Sequence, residues 1–292
     1  LARRLPESGA AWLHWAPARG VLRATCLNPA PWIAECLSPF GGAILMSATL
    51  APTDVFRRQC GLATERATIA TGHAPWREEA YRVAVDTRAD TRFKQRARFH
   101  ETTARTVAAL AATTPGEPAA VFFPSYQYAD NVQKYLEVLE PGLRVLRQPR
   151  GVDLARQDAF IDEALLLGDV LFLVLGSGYA EGIDKLGGRV RSVMIVGPAL
   201  PEVDAVNEAR MDAHPASSRQ TAFRDIYIVP AMRRVHQALG RLVRAPGQHA
   251  SVLLHGRRYA EPAYQDALLP EYRPGATIRS DTELHAWLDN GR

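Results

Sequence analysis

The sequence has little lysine, little cysteine and no long apolar run. Only three of its 35 basic residues are Lys, and the others are Arg. The three cysteines, Cys26, Cys36 and Cys60, are odd in number and lack the spacing of a metal site. They argue against a disulfide framework and favour a reducing, cytosolic compartment. No apolar stretch reaches the 18 residues that a membrane-spanning helix needs, so we expect no membrane partner.

Several catalytic motifs are also missing. No G-x-x-x-x-G-K-[ST] segment occurs, so the chain has no phosphate-binding P-loop of its own. The eight His residues form no H-E-x-x-H pattern, and we expect no metal site. The chain starts at Leu1 without a signal-peptide pattern, and we expect it to be a fragment of a longer protein.

The overall composition is that of a globular protein with one large domain or two. The chain has 292 residues, of which 47% are hydrophobic and 23% are charged. The formal net charge of +4 is a weak indication of nucleic-acid binding, and a solvated basic surface explains it equally well. Arg nevertheless suits bidentate contacts to phosphate better than Lys does.

Short apolar runs alternate with helical patterns, which predicts an α/β fold with a mostly parallel sheet flanked by helices. The predicted strands are 11–15, 20–27, 43–47, 81–86, 119–123, 144–147, 170–175, 191–196 and 251–255. The predicted helices are 96–112, 128–139, 154–167 and 222–243. Gly, Pro and Thr collect between Leu62 and Ala80, so we place a domain boundary there and predict domains at 1–70 and 71–292.

Two segments imitate known nucleotide motifs. The glycines of 176–182 are spaced G-x-G-x-x-x-G, one residue too long for a dinucleotide fingerprint. Asp162 and Glu163 resemble a Mg²⁺-binding acidic pair, but the apolar residues around them have the spacing of an amphipathic helix. We therefore exclude a dinucleotide site at 176–182 and interpret Asp162 and Glu163 as structural.

Four segments carry candidate chemistry. They are 44–50, 121–126, 176–184 and 237–244. The first two are apolar runs that end in hydroxyl side chains, and the third is a glycine-rich turn with two carboxylates after a buried strand. Open α/β sheets bind ligands beyond the carboxyl ends of their strands, and glycines let the backbone approach a ligand closely.

The fourth segment, Q-A-L-G-R-L-V-R, lies late in a predicted helix. Gln237, Arg241 and Arg244 are spaced i, i+4 and i+7, so the helix would place one amide and two guanidinium groups on one face. Gly240 costs such a helix about 1 kcal/mol relative to Ala, which is easier to accept if something packs closely against it. A solvent-exposed, Arg-rich helix is the alternative interpretation.

Together the four segments resemble the second half of a superfamily-two helicase of the XPD/DinG family. Ser47-Ala-Thr49 resembles motif III, Phe122-Phe-Pro-Ser-Tyr126 resembles motif IV, Gly178-Tyr-Ala-Glu-Gly-Ile-Asp184 resembles motif V, and Gln237 to Arg244 resembles motif VI. The resemblance implies a RecA-like second motor domain with a P-loop-NTPase-like fold. Residues 1–70 would then hold the last strands of the first RecA-like domain, and 71–292 the second.

The resemblance also implies a role for each site residue. ATP and Mg²⁺ would be bound mainly by the first RecA-like domain, which would also carry any iron–sulfur cluster. Arg241 and Arg244 would contact the γ-phosphate as arginine fingers, and Gln237 would orient the attacking water. The residues of ATP binding and coupling would be Gly178, Glu181, Gly182, Asp184, Ser47 and Thr49. The contacts to single-stranded or forked DNA would be Ser125, Tyr126 and Ser177.

Three hypotheses follow. The leading one is the C-terminal motor half of an ATP-dependent DNA helicase, located in the bacterial cytosol or nucleoid and inactive without the P-loop half. The second is a catalytically inactive RecA-like module that binds nucleic acid or protein, and the third is an unrelated small-molecule α/β enzyme. The presence of Gln237, Arg241 and Arg244 favours the first.

Overall fold

The computed structural model describes residues 12–63, 67–72, 74–77, 79–181, 185–215 and 218–291. The chain divides into two units. Unit 1 takes in residues up to 73 together with 200–230, and unit 2 takes in 74–199 together with 231–292. The sequence puts its boundary at 70/71, close to the first division. Segment 200–230, which the sequence assigns to the second domain, groups with unit 1.

Unit 2 is built on a seven-stranded sheet in which every pairing is parallel. Its strands are β3 (Tyr81–Asp86), β4 (Ala119–Phe123), β5 (Val145–Arg147), β6 (Val170–Val174), β7 (Ser192–Val196), β8 (Ala250–His255) and β9 (Ala276–Ile278). They lie in the order β5-β6-β4-β7-β8-β3-β9. The predicted parallel α/β architecture is confirmed.

The central strands are apolar throughout because both of their faces are covered. Every residue of β4, β6 and β7 is buried, as expected for a parallel sheet between layers of helices. On one face, Phe123 and Phe172 pack edge to face with their ring centroids 4.7 Å apart. Side chains of three helices complete that core, which includes Tyr128 and Trp287.

The helices of unit 2 connect these strands. They are α3 (His100–Ala111), α4 (Tyr126–Leu139), α5 (Leu154–Leu167), α6 (Gly178–Glu181), most of α9 (Val229–Leu239), α10 (Pro262–Gln265) and α11 (Asp281–Asp289). Ser125 caps α4 and Asp153 caps α5, each by accepting a hydrogen bond from a backbone N–H of the first turn. Helix α5 has the predicted bounds. Strand β9 and helix α11 were missed by the sequence analysis.

Unit 1 begins with an antiparallel hairpin of β1 (Trp12–Ala18) and β2 (Val21–Cys26). Its helices are α1 (Ala30–Leu37), α2 (Thr53–Cys60), α7 (Ala205–Asp212) and α8 (Arg219–Phe223), followed by a π-helical turn (Arg224–Ile228). The strand predicted at 43–47 is wrong: this segment is irregular, and among the described residues no strand pairs with it. Its side chains are open to solvent, with Ile44 88% and Met46 86% exposed.

Ion pairs join the two segments of unit 1. Arg58 of α2 donates to Asp225 over 2.6 Å and to Asp54 over 3.2 Å. Arg224, beside Asp225 in the π-helical turn, also lies 3.3 Å from Asp54. Asp225 is almost fully buried, so Arg58 supplies the partner charge that its carboxylate needs. None of the described helices combines the length and the apolar character that crossing a bilayer requires.

Candidate functional site

The candidate residues of unit 2 fall on two opposite edges of its sheet. We call the loops that follow the strands the carboxyl edge, and the segments that lead into the strands the amino edge. Because all seven strands are parallel, every loop of one kind lies at the same edge. Three candidate DNA-binding residues follow strands and therefore lie at the carboxyl edge: Ser125, Tyr126 and Ser177. The segment 241–244 instead makes its described contacts at the amino edge.

Ser125 and Tyr126 occupy the turn between β4 and α4. The Ser125 hydroxyl accepts a hydrogen bond from the Tyr128 amide over 3.3 Å, which fixes the start of α4 and leaves the hydroxyl proton available to a ligand. The Tyr126 hydroxyl accepts a hydrogen bond of 2.5 Å from the Gln148 side chain. The Arg150 guanidinium lies 4.5 Å from the centroid of the Tyr126 ring. The half-buried Tyr126 ring is therefore fixed by the hydrogen bond from Gln148 to its hydroxyl and by the guanidinium of Arg150 over its face.

Gln148 connects this turn to the loop after β6. It is buried, and its side-chain oxygen accepts a hydrogen bond from the Val174 amide over 2.8 Å. The Ser177 hydroxyl lies 2.6 Å from the Val174 carbonyl and 3.2 Å from the same Gln148 oxygen. One buried amide thus ties the candidate DNA-binding residues of two loops together. Sequence reasoning missed Gln148 because its partners are 22 to 29 positions away.

The glycine-rich turn after β6 leads into the short helix α6. Gly176 has a φ of +75°, and a Cβ built there would lie 3.0 Å from the Arg234 side chain. Gly178 begins α6, and a Cβ there would lie 2.8 Å from the Gln157 side-chain oxygen. The positive φ of Gly176 favours glycine there, whereas a Cβ at Gly178 would require the Gln157 side chain to shift. Glu181 is the last residue of α6, while Gly182 and Asp184 lie outside the described residues.

Lys185, just after this turn, pairs with helix α5. Its ammonium group lies 2.5 Å from an Asp158 oxygen and 2.6 Å from an Asp162 oxygen. Arg189 also pairs with Asp162, over 3.4 Å. The interpretation of Asp162 as a residue of an amphipathic helix rather than a Mg²⁺ ligand agrees with this geometry. Within the described ranges, no three His, Cys, Asp or Glu side chains are grouped so that they could hold a metal ion.

Helix α9 carries Gln237, but it ends earlier than predicted. The helix stops at Leu239, so the prediction of helix through Val243 is wrong for its last residues. Gly240 has a low helix propensity, and after it the backbone tightens into i→i−3 hydrogen bonds from Arg241 and Leu242. Arg244 lies beyond the helix, so the expected single face with Gln237 and Arg241 does not form.

The chain after Gly240 is instead held at the amino edge. Leu242 accepts a hydrogen bond from the Gly188 amide over 3.1 Å, in the segment that leads into β7. The Arg244 amide donates to the Gln248 side chain over 2.7 Å, just before β8. A Cβ built at Gly187 would lie 2.8 Å from Cγ of Arg244, so this glycine leaves room for the arginine stem. These contacts position the Arg244 backbone and stem.

The same helix is held at the opposite edge by Arg234. Its guanidinium lies over the Gly176 turn and donates to the Ala199 carbonyl over 3.0 Å, after β7. At the other end of the helix, the Tyr81 hydroxyl donates to the Leu239 carbonyl over 3.0 Å, at the start of β3. Helix α9 therefore connects the carboxyl edge to the amino edge. Sequence reasoning did not single out Arg234.

His236 anchors the helix between these two ends. Burial, with a smaller contribution from the charge of Arg233, lowers the pKa of His236 to about 4. Its Nε2 accepts a hydrogen bond from the Leu269 amide over 3.4 Å, and its ring lies 5.6 Å from that of Tyr272. The imidazole beside Gln237 is therefore neutral at pH 7.

This buried histidine makes unit 2 acid-sensitive. Its pKa is lower in the folded state than the ordinary value of 6.5, so stability is fully present above pH 6.5 and is lost as pH falls towards 4. Between pH 7 and pH 5 we expect His236 to cost about 2 kcal/mol of unfolding free energy. Urea unfolding at both pH values measures it, and His236→Gln removes the titration. An equal loss in wild type and variant would contradict the assignment.

Ser47 and Thr49 lie in unit 1. The two hydroxyl oxygens are 3.3 Å apart, and the Ser47 hydroxyl accepts a hydrogen bond from the Thr49 amide over 3.2 Å. The pair flanks a small turn at the end of the irregular segment 43–47. Upstream, the Asn28 side chain accepts a hydrogen bond from the Ala30 amide at the start of α1. The role of Ser47 and Thr49 in coupling stays a prediction.

A basic segment at the carboxyl edge was also missed. Residues 92–98 read R-F-K-Q-R-A-R, with four cations in seven residues, and follow β3 closely. Arg92 pairs with the buried carboxylate of Asp90, and Phe93 is 78% exposed. Arg96 donates to the Gln127 side chain in the first turn of α4 over 3.2 Å. The charge run was visible in the sequence, but its proximity to Tyr126 depends on the fold.

Comparison with known proteins gives consistent matches. A family model described as the helicase C-terminal domain matches residues 107–275, more than half of the chain. The ATP-dependent DNA helicase chl1 of Aspergillus clavatus is 30% identical over 217 residues, 62% of this chain and 29% of that protein. The ATP-dependent DNA helicase DDX11 of Danio rerio is 24% identical over 302 residues, 92% of this chain and 33% of that protein. The chain thus spans about a third of the length of these relatives.

Solved structures agree on the fold. An XPD helicase matches with a TM-score of 0.70 and 18% identity, covering 94% of this chain and 49% of the other. A second structure, of apo XPD, gives a TM-score of 0.68 and also 18% identity, covering 94% of this chain and 56% of the other. The expected RecA-like architecture is confirmed.

Proposed function

Because this chain belongs to the helicase C-terminal domain family, we propose that it is the C-terminal half of an ATP-dependent DNA helicase motor. The observation that carries the proposal is the position of helix α9. Through Arg234 it contacts the loops of the carboxyl edge, where Ser125, Tyr126 and Ser177 lie. Its far end leads into Arg241 and Arg244 at the amino edge.

In this proposal, single-stranded DNA binds along the carboxyl edge. The hydroxyl of Ser125 donates to a phosphate, and the ring of Tyr126 under Arg150 supports a base by stacking. Ser177 contacts the strand only after releasing its bonds to Val174 or Gln148. These contacts address the backbone and the base faces, so we expect little sequence preference.

ATP and Mg²⁺ bind at the amino edge, held mainly by a first motor half that carries a P-loop. Arg241 and Arg244 stabilise the charge that develops on the γ-phosphate, and Gln237 orients the attacking water. The exposed segment 43–47 of unit 1, which is irregular in this chain, would pair with the sheet of that first half, with Ser47 and Thr49 at its end. Glu181 and Asp184 couple the nucleotide to the DNA.

Experiments on the isolated 292-residue chain test whether it binds DNA but needs a separate P-loop half to hydrolyse ATP. We expect the 292-residue chain to bind a fluorescein-labelled oligo-dT, as measured by anisotropy, and to show no ATP turnover. Hydrolysis of ATP by this chain alone would contradict the proposal that the ATP site needs a second, P-loop-containing half. The alternative, an inactive module, predicts that joining the chain to a P-loop half produces no DNA-stimulated hydrolysis.

We expect Arg234 to couple DNA binding at the carboxyl edge to ATP turnover at the amino edge. We expect Arg234→Ala, in the complete motor, to lower the ratio of DNA-stimulated to unstimulated ATP turnover by about fivefold to tenfold. The reason is that the variant loses the guanidinium that joins α9 to Gly176 and Ala199. Arg105→Ala is the matched control, since Arg105 is an exposed arginine of α3 paired with Glu101. An unchanged ratio in Arg234→Ala would rule out this coupling route.

A further inference from the structure

Phe93 is an exposed aromatic ring in a cationic surrounding. Its side chain is 78% exposed, and Arg92 and Lys94 are its direct neighbours. A single exposed apolar side chain needs no explanation by itself. This ring is different because a guanidinium covers it: the central carbon of Arg96 lies 4.7 Å from the centroid of the Phe93 ring.

Arg96 is fixed from two further sides. Its guanidinium lies 5.5 Å from the centroid of the buried Tyr128 ring, and it donates to the Gln127 side chain over 3.2 Å. The arginine is therefore held against α4 while one of its neighbours, Phe93, stays open to solvent. Such a side chain offers its charge without a large further loss of rotamer entropy.

The segment that carries Phe93 is anchored to the central strands. Thr91 fills the space beside two glycines of the carboxyl edge, Gly197 after β7 and Gly256 after β8. A Cβ at Gly197 would lie 2.5 Å from the Thr91 hydroxyl, and one at Gly256 would lie 2.8 Å from it. Phe93 is thus two residues from Thr91, which packs against the sheet. A binding residue is positioned more precisely when its neighbours are fixed in this way.

The arrangement repeats that of Tyr126. Both pairs, Phe93 with Arg96 and Tyr126 with Arg150, combine an aromatic ring with a guanidinium within 5 Å of it. Arg96 and Tyr126 both contact or belong to the first turn of α4, which Ser125 caps. Two ring–cation pairs therefore border one helix start at the same edge of the sheet.

We propose that Phe93 and Arg96 form a second stacking platform for single-stranded nucleic acid, next to the Tyr126 platform. A base stacks on the Phe93 ring, and Arg96 neutralises a neighbouring phosphate. The cations at 94, 96 and 98, beyond the Arg92–Asp90 pair, favour a polyanion over an apolar protein partner. This inference rests on the proposed function, because it extends the DNA path along the carboxyl edge towards β3.

Binding of two oligonucleotides to the 292-residue chain tests the platform. One probe is fluorescein-labelled dT of 20 nucleotides, and the other is an abasic strand of the same length and charge. We expect Phe93→Ala to weaken binding of dT by about tenfold and to leave binding of the abasic strand unchanged. Phe93→Trp should retain the wild-type affinity for dT, since it keeps a stacking surface.

Arg96 should behave differently, because it acts through charge. Arg96→Ala should weaken binding of both probes and lower the slope of log affinity against log salt by about one. Tyr135→Ala, which removes a partly exposed ring from the far half of α4, is the control and should bind as wild type does.

The outcomes separate the two proposals. Equal affinity of wild type and Phe93→Ala for dT would overturn the platform while the DNA-binding function stands. An equal loss on dT and on the abasic strand would also overturn it, since Phe93 would then only support Arg96. Failure of the wild type to bind either probe would remove the proposed function and the platform together.

Discussion

Replacing Arg244 by Ala is expected to lower DNA-stimulated ATP turnover of the complete motor by about 100-fold or more, with ATP binding retained. Arg244 lies at the amino edge, where its amide donates a hydrogen bond to the Gln248 side chain. The absence of a side chain at Gly187 leaves space for the aliphatic part of Arg244. A guanidinium placed against a γ-phosphate stabilises charge that develops mainly in the transition state. Removing it therefore affects turnover much more than binding. The measurement is a steady-state ATPase assay at saturating single-stranded DNA, with ATP binding followed separately.

Two further variants define the Arg244 effect. Arg244→Lys keeps the charge but loses the bidentate fork, so we expect only partial activity. Arg189→Ala is the matched control, because Arg189 also precedes β7 at the amino edge but pairs with Asp162 of α5. If Arg189→Ala and Arg244→Ala reduce turnover equally, the effect is one of general surface charge. The arginine-finger role would then be wrong.

Replacing Asp86 by Ala is expected to destabilise unit 2 by about 3–5 kcal/mol, because it breaks a buried charged network. Asp86 is fully buried at the end of β3, and its carboxylate lies 2.7 Å from Nδ1 of His255. Arg88 donates to the same carboxylate over 2.9 and 2.7 Å. Burial opposes ionisation, but His255 and Arg88 outweigh it and hold the pKa of Asp86 below its usual value. The variant leaves both partners without that acceptor.

The network also supports the carboxyl edge. Nε2 of His255 lies 3.0 Å from the Thr103 hydroxyl of α3, which in turn lies 3.3 Å from the hydroxyl of Tyr128 in α4. Urea unfolding at pH 7 measures the loss in Asp86→Ala. Glu101→Ala is the control, since it breaks an exposed pair with Arg105 that is worth less than about 0.5 kcal/mol. Equal losses in the two variants would show that the buried network contributes no special stability.

Much of unit 2 could be predicted from local sequence patterns. Strands β3 and β4 and helix α5 have the predicted bounds, because continuous apolar runs and a long amphipathic period leave few alternatives. The resemblance to the XPD/DinG family is likewise confirmed by the helicase matches. Strand β9, with three residues, is too short for a periodic pattern to reveal it.

The errors have physical causes that a local pattern does not contain. Segment 43–47 has the composition of a strand, but a strand needs a neighbour, and none of the described strands pairs with it. The period of α9 continues past Gly240, whereas its backbone turns to place Leu242 against Gly188. The contacts of Gln148 and Arg234 join residues far apart in sequence, so only the folded chain reveals them.

In the proposed motor, DNA and ATP act on opposite edges of one sheet. The most direct measurement is the ATPase rate of the complete motor against the concentration of single-stranded DNA, for Tyr126→Ala and Arg244→Ala. We predict that Tyr126→Ala raises the DNA concentration for half-maximal stimulation by about tenfold, with a smaller effect on the saturated rate. Arg244→Ala should lower the saturated rate and change the half-maximal concentration little. If both variants change the same parameter to the same extent, the two edges do not have separate roles in binding DNA and ATP.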